Sequence, residues 1–110
     1  MRHVPPETDL LFEVRTPLGF VVRVTRARWA LITNVKHPVM AGRESSVRAA
    51  LEDPDEIRQS RTAVEVFLFY KAEARARWVC AVTRQTGDRA FLVTAYPTDA
   101  IKEGVRIWRK

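Results

Sequence analysis

The stretch 64-VEVFLFYKAEARARWVCAVTRQTGDRAFLVTAY-96 decides the predicted fold of this chain, because it holds three β-rich runs separated by short polar segments. The three runs are 64-VEVFLFY-70, 77-RWVCAVTR-84 and 90-AFLVTAY-96, and a fourth, 105-VRIW-108, closes the chain. Consecutive runs with short connections are typical of antiparallel strands. The sequence therefore predicts a three- or four-stranded antiparallel sheet in the second half of the chain.

The first half of the chain combines a hairpin signal with helical spacing. Two β-rich runs, 10-LLFEVRT-16 and 20-FVVRVT-25, flank Pro17, Leu18 and Gly19, which predicts an N-terminal β-hairpin. Helices are then predicted over 26-RARWALITNVKH-37, capped by Thr25 and ended by Pro38, over 42-GRESSVRAALED-53, and as a short turn over 53-DPDEIRQS-60. The predicted fold class is α+β: a hairpin, two to three helices, and an antiparallel sheet with the helices packed on one face.

Length and charge set the broad class. The 110 residues suit one domain, predicted over residues 9–110, after a polar and poorly ordered lead-in at residues 1–8. Lys and Arg number 19 against 13 Asp and Glu, a net charge of +6. Such an excess suits a polyanionic partner such as RNA, but it also keeps a small domain soluble. Charge alone leaves these two interpretations open.

Several classes of protein are disfavoured by what the sequence lacks. Cys80 is the only cysteine, so no intramolecular disulfide or thiolate metal cage can form, and its apolar neighbours predict a buried side chain. No glycine-rich phosphate loop or metal-ligand spacing is visible, so we expect no cofactor and no metal. The absence of a long apolar run or a secretory signal predicts a cytoplasmic protein without a membrane partner.

The candidate site residues come from three places. In 90-AFLVTAY-96, period two assigns Phe91, Val93 and Ala95 to the helix-covered side, and Leu92, Thr94 and Tyr96 to the other. Thr98 follows just beyond, and Tyr70 ends a strand that could face the same way. These hydroxyls fit either an ordinary half-buried strand or the lining of a cleft.

The other candidates are a histidine and an arginine cluster. His37 ends the first predicted helix and titrates near neutrality, so it could transfer protons, although capping or packing is the simpler role. Arg58 and Arg61, with Ser60 between them, would share one side of a helical turn. They could clamp a phosphate or pair with the neighbouring Asp55 and Glu56.

The chain also resembles a known group of nucleases. The segments that carry the resemblance are, in order, 36-KHPVMAGRE-44, 51-LEDPDEIRQSR-61, 68-LFY-70, 78-WVCAV-82 and 92-LVTAYPTDAIKEG-104. They are similar to small bacterial and phage-type members of the barnase, EndoU, colicin and RelE-like nuclease superfamily, from about Phe20 to Trp108. The resemblance implies a RelE/barnase-like domain that cleaves RNA without a metal, through attack of the 2′-hydroxyl, to give a 2′,3′-cyclic phosphate.

The resemblance also implies roles for the candidate residues. His37 would transfer protons, Arg58 would stabilise the phosphate, and Thr94 and Tyr96 would complete the catalytic set. The substrate-binding residues would be Arg43, Ser60, Arg61, Tyr70 and Thr98. A toxin-like ribonuclease held in check by a partner protein is the first hypothesis. A non-catalytic module that binds RNA or the ribosome, and an interaction protein that docks an acidic partner such as an antitoxin, are the alternatives.

Overall fold

The three strands of the meander form the middle of one seven-stranded mixed sheet in the computed structural model, which describes residues 9–110. The strands, in chain order, are β1 (Leu10–Arg15), β2 (Val21–Thr25), β3 (Glu56–Gln59), β4 (Val66–Ala74), β5 (Arg77–Thr86), β6 (Arg89–Thr98) and β7 (Val105–Arg109). Their order across the sheet is β1-β2-β6-β5-β4-β3-β7. All neighbours are antiparallel except β2 and β6, which are parallel. The predicted lead-in, residues 1–8, lies outside the described residues.

Two α-helices and the short helical segments between them lie between β2 and β3. The helix α1 (Arg26–Leu31) begins as predicted, because the hydroxyl of Thr25 accepts a hydrogen bond from the backbone N–H of Arg28 at 3.1 Å. It widens into a π-helical segment, Ile32–Lys36, and a 3₁₀ turn follows at Pro38–Met40. The second helix, α2, spans Glu44–Glu52. Within residues 9–110, no helix has both the length and the apolar character needed to cross a membrane.

The predicted fold class is wrong in its sheet. Instead of three or four antiparallel strands beside a separate hairpin, residues 9–110 form a seven-stranded mixed sheet and two short α-helices. The hairpin of β1 and β2 forms, but Val21–Arg23 pair in parallel with Arg89–Phe91 and so extend the same sheet. This pairing joins residues more than sixty positions apart. Local periodicity carries no information about such a contact, so the sequence pattern could not predict it.

The third predicted helical turn is also wrong, because residues 56–59 form strand β3. This strand pairs with β4 on one side and with β7 on the other. Its side chains alternate with period two, since Ile57 is fully buried on the side of the helices while Glu56 and Arg58 point to the other side. Pairing on both edges outweighs the helix-start signal of Asp53 and Pro54.

The sheet has two unlike faces. The helical face packs under α1 and α2 and carries the main core, which includes Val22, Trp29, Ile32, Met40, Val47, Leu51, Ile57, Phe69, Val79 and Leu92. The opposite face holds a smaller cluster, in which Leu68, Tyr70 and Cys80 are buried and Trp78, Val82, Tyr96 and Ile101 are partly buried.

The connection from β6 to β7 covers part of this second face. Because β5, β4 and β3 lie between β6 and β7, the segment 99–104 must cross three strands. Ile101 packs on the small cluster, and a Cβ on Gly104 would lie 3.2 Å from the Cβ of Arg58, so the crossing runs over the face opposite the helices. We call the segment 99–104 the strap and this side of the sheet the strap face. Four strand spacings span about 19 Å, against a reach of about 24 Å for the seven steps from Thr98 to Val105.

A β-bulge in β6 changes the predicted facing of its residues. Thr83 pairs with Leu92 while Val82 pairs with Thr94, so Val93 is an extra residue. Leu92 consequently turns to the helical face, where it is fully buried, and Phe91 is 41% exposed. The period-two prediction was therefore wrong for Phe91 and Leu92. Ala95 lies on the helical face and Tyr96 on the strap face, as predicted.

Candidate functional site

The structure brings His37 and Tyr96 together at the edge of the strap face. Their ring centroids are 5.4 Å apart, with the ring planes inclined at 43°. The pairing of β2 with β6 ends at Phe91, so the outer edge of β6 beyond that residue is free of β2. The π-helical segment that precedes His37 packs there instead, and the Lys36 ammonium donates to the carbonyl of Val93 at 3.4 Å. We call this pair of rings the His37–Tyr96 site.

Cys80 links Tyr96 to Tyr70. The pairing register aligns Tyr96, Cys80 and Tyr70 in one row across the strap face, so the two tyrosines flank Cys80. Burial raises the pKa of Cys80 to about 12, although the neighbouring hydroxyls of Tyr96 and Tyr70 act in the opposite direction. Burial, and then the neighbouring Cys80, raise the pKa of both tyrosines well above the usual range. All three groups therefore stay protonated near neutrality.

The two tyrosines differ in their access to solvent. Tyr70 is a buried member of the small cluster and is only 1% exposed, so its ring offers no surface to a base. Tyr96 is partly exposed and has His37 against it. Of the two tyrosines, Tyr96 can therefore stack on a base in this conformation and Tyr70 cannot.

Thr94 lies two residues before Tyr96 on the same face of β6, and its hydroxyl has no hydrogen-bond partner. The Oγ1 atom is buried, although the residue as a whole is partly exposed. A buried hydroxyl without a partner costs roughly 1–3 kcal/mol. Such a group is either a stability defect or a donor kept for a bound molecule.

Arg58 faces the same side as Thr94 but lies far from it. The row Thr94, Val82, Leu68, Arg58 crosses three strand spacings, which is about 14 Å between the outer Cα atoms. The Arg58 Nε donates to the Glu56 carboxylate at 2.6 Å, and its NH1 group donates to the Gly104 carbonyl at 3.3 Å. Arg58 therefore anchors the far end of the strap, and in this structure it does not meet His37.

The remaining predicted residues lie in three separate places. Arg43 pairs with Glu73 next to the start of α2, away from the strap face. Ser60 shares a hydrogen bond with Thr62 in the turn after β3, where Arg61 is exposed. The Thr98 hydroxyl donates to the Ala100 carbonyl at 3.0 Å, on the same face of β6 as Tyr96.

Sequence reasoning missed Lys36 and Cys80 as parts of this region. Lys36 is the cation nearest to the His37–Tyr96 site along the chain, and its position next to His37 was a usable signal. Cys80 was predicted to be buried, which the structure confirms, but not to join two tyrosines. The pairing of Arg58 with Glu56, which the sequence analysis gave as the alternative to a phosphate clamp, is present, but it occurs in a strand and not in a helical turn.

The chemistry available at the His37–Tyr96 site is proton transfer next to an aromatic surface and a flexible cation. The imidazole of His37 is a side chain of the type that most often transfers protons in catalysis. Among residues 9–110, no three His, Cys, Asp or Glu side chains lie close enough to bind a metal ion. Comparisons with protein-family models, with curated proteins and with solved structures found no match.

Proposed function

We propose that this chain is a metal-independent ribonuclease whose reaction centre is the His37–Tyr96 site. The observation that carries the proposal is the partly exposed His37 ring against the Tyr96 ring, 5.4 Å away, at the edge of the strap face. The net charge of +6 and the resemblance described above favour RNA as the substrate.

RNA supplies its own nucleophile, so the chemical demands on the protein are small. The 2′-oxygen attacks phosphorus, the bond from phosphorus to the 5′-oxygen breaks, and a 2′,3′-cyclic phosphate remains. One proton leaves the 2′-hydroxyl and one reaches the 5′-oxygen. His37 carries out one of these transfers, which is worth ~10²- to 10⁴-fold in rate, and water carries out the other.

The phosphate and the base need separate contacts. Lys36 is exposed, and its bond to Val93 is long at 3.4 Å, so its ammonium can turn towards an incoming phosphoryl oxygen. The accessible ring of Tyr96 supports a base or a ribose. Arg58 is held by Glu56 at the other end of the strap, so we assign the role of phosphate stabiliser to Lys36.

The test is cleavage of a labelled RNA in the presence of EDTA, with detection of cyclic-phosphate ends. His37→Gln should lower the rate by ~10²- to 10⁴-fold without changing the unfolding transition. His3→Gln, which alters the chain's other histidine, is the matched control and should cleave as the native protein does. Lys36→Gln should reduce cleavage more than Arg58→Gln. Equal cleavage by His37→Gln and His3→Gln preparations would rule the proposal out.

A second candidate is an RNA-binding module without catalysis. It is favoured by the engagement of the Tyr96 hydroxyl with Cys80 and of the Arg58 guanidinium with Glu56. This module would bind RNA in a salt-sensitive manner, release no cyclic-phosphate ends, and bind equally well after His37→Gln.

A further inference from the structure

A cleft lies next to the His37–Tyr96 site, at the end of β6, and has no role in the scheme above. Its volume is about 590 Å³. Its lining comes from the tip of the β4–β5 hairpin and from the start of the strap, with the residues Arg75, Ala76, Arg77, Pro97, Thr98 and Asp99. The space is large enough for one phosphodiester with its sugar.

The two arginines of this cleft differ from three other arginines that glutamates engage. Within residues 9–110, neither Arg75 nor Arg77 forms an ion pair or a side-chain hydrogen bond, and both are exposed. By contrast, glutamates engage the guanidinium groups of Arg43, Arg58 and Arg84. The cleft therefore presents two guanidinium groups that are available to a ligand. Guanidinium groups bind phosphate oxygens through pairs of hydrogen bonds.

The hairpin turn holds these arginines on either side of a strained residue. Ala76 has φ of 53°, in the left-handed region that residues with a Cβ seldom adopt. This conformation reverses the chain within two residues, so that Arg75 and Arg77 both line the cleft that Thr98 closes from the other side.

Aromatic rings connect the cleft to the His37–Tyr96 site. Thr98 lies two residues beyond Tyr96 on the same face of β6, a distance of about 6.6 Å along the strand. Trp78 lies directly opposite Thr98 on β5 and is partly exposed. The path along the ends of β6 and β5 thus runs from His37 and Tyr96 past Trp78 to the hairpin tip that carries the two arginines. Alternating aromatic and cationic groups are typical of surfaces that bind single-stranded nucleic acid.

We propose that the cleft binds one flanking phosphodiester of single-stranded RNA, with Arg75 and Arg77 as its ligands. The choice of RNA rests on the proposed function, whereas the cleft and its free arginines do not. Asp99 adds one negative charge to the lining, so the cleft has a net charge of +1 and suits a single phosphate group. A strand that occupies both places passes from the His37–Tyr96 site over Trp78 to the hairpin.

Binding is measured with a fluorescein-labelled oligouridylate whose 2′-hydroxyls are methylated, since this strand cannot be cleaved by 2′-oxygen attack. The double variant Arg75→Gln/Arg77→Gln should bind about tenfold or more weakly, and its slope of log affinity against log salt should fall by about 0.7 in magnitude. The control Arg15→Gln/Arg48→Gln removes the same charge from β1 and α2 and should leave the slope unchanged. Equal losses in both double variants would show a general charge effect and overturn the inference.

Cleavage distinguishes this inference from the proposed function. A dinucleoside monophosphate contains only the scissile phosphate, whereas a trinucleotide with two phosphates can also fill the cleft. Arg75→Gln/Arg77→Gln should lower kcat/KM for the trinucleotide and leave the dinucleotide rate unchanged. If the native protein cleaves but this variant binds the methylated strand normally, the cleft inference fails and the ribonuclease stands. If binding weakens as expected but nothing is cleaved, the ribonuclease fails and the cleft stands.

Discussion

The two faces of the sheet differ in what fills them. The helical face is closed by α1 and α2 over a continuous apolar core, and its central side chains Phe69 and Leu92 have no exposed surface. Among residues 9–110, the small cluster of the strap face has three buried members, Leu68, Tyr70 and Cys80. A buried threonine hydroxyl without a partner occurs on each face, Thr83 on the helical side and Thr94 on the strap side. The helical face therefore supplies most of the stability, which leaves the strap face free to carry polar and ionisable groups.

The largest expected effect is a difference in lost stability between substitutions of one cluster residue on each face. Phe69→Ala should lower the free energy of unfolding by about 3–5 kcal/mol, because the large cavity lies in the main core. Val82→Ala, on the strap face, should cost about 1–2 kcal/mol, since Val82 is only partly buried. Urea unfolding measures both. Equal losses would contradict the division of roles between the faces.

The next effect concerns the end of the strap. A Cβ at Gly104, where φ is 80°, would lie 2.6 Å from the Gln59 carbonyl oxygen. Gly104→Ala should therefore cost about 2–4 kcal/mol, through clash and strain together. The matched control is Gly87→Ala, with φ of 67° but open space around the new Cβ, which should cost only about 1–2 kcal/mol. If the two variants lose the same stability, the strap does not pack closely on β3.

Substitution of the two threonines with unpartnered hydroxyls should have a smaller effect, and it should raise stability instead of lowering it. Thr83→Val and Thr94→Val should each raise the free energy of unfolding by about 1 kcal/mol, because each removes a buried hydroxyl without a partner. Only Thr94→Val should also reduce RNA cleavage. Thermal unfolding and the cleavage assay, run on both variants, separate a structural role from a functional one. Loss of cleavage in Thr83→Val would contradict the assignment of function to the strap face.

The smallest effect lies at the edge of the sheet and depends on pH. Lys110 and Lys71 hold the pKa of Asp53 below its ordinary value of 3.8 through hydrogen bonds. The unfolded state therefore binds a proton at higher pH than the folded state. The stability that Asp53 contributes is present above pH 3.8 and is lost as the pH falls through the lowered value.

Unfolding between pH 2 and pH 5 should thus show a shallower pH dependence for Asp53→Asn than for the native protein. Asp88→Asn, which removes the same charge from the β5–β6 turn, serves as the control. Added salt should shrink the difference, because the Asp53 side chain is exposed. An unchanged slope in Asp53→Asn would show that the contacts with Lys110 and Lys71 do not persist in solution.

The sequence was informative where structure depends on neighbours along the chain. The cap at Thr25, the hairpin of β1 and β2, and the meander of β4, β5 and β6 follow from local patterns, and the structure contains all of them. The helical prediction for residues 56–59 was wrong, because pairing with β4 and β7 outweighs the local helix signal. The bulge at Val93 has no sequence marker, and it reversed the facing of Phe91 and Leu92.

The site was predictable only in part, for the same reason. Period two put Thr94 and Tyr96 on one face, which is a local inference. The contact between His37 and Tyr96 depends on two long-range features. One is the point at which β2 stops pairing with β6, and the other is the path of the π-helical segment. Arg58 was expected near His37, but only the sheet order shows the intervening strands. Whether Arg58 contributes to catalysis stays a prediction, which the comparison of Lys36→Gln with Arg58→Gln addresses.

The strap has a consequence for how the chain assembles. The strap is only slightly longer than it needs to be, because its extended length is about 24 Å and the distance that it crosses is about 19 Å. Removing two residues would leave it too short, and the last strand would have to detach from β3, whereas added residues would only lengthen a surface loop. Because the crossing begins at β6 and spans β5 and β4, we expect the C-terminal strand to dock on β3 after the meander has formed. The N-terminal half can therefore form its contacts with the meander before the chain's last strand docks.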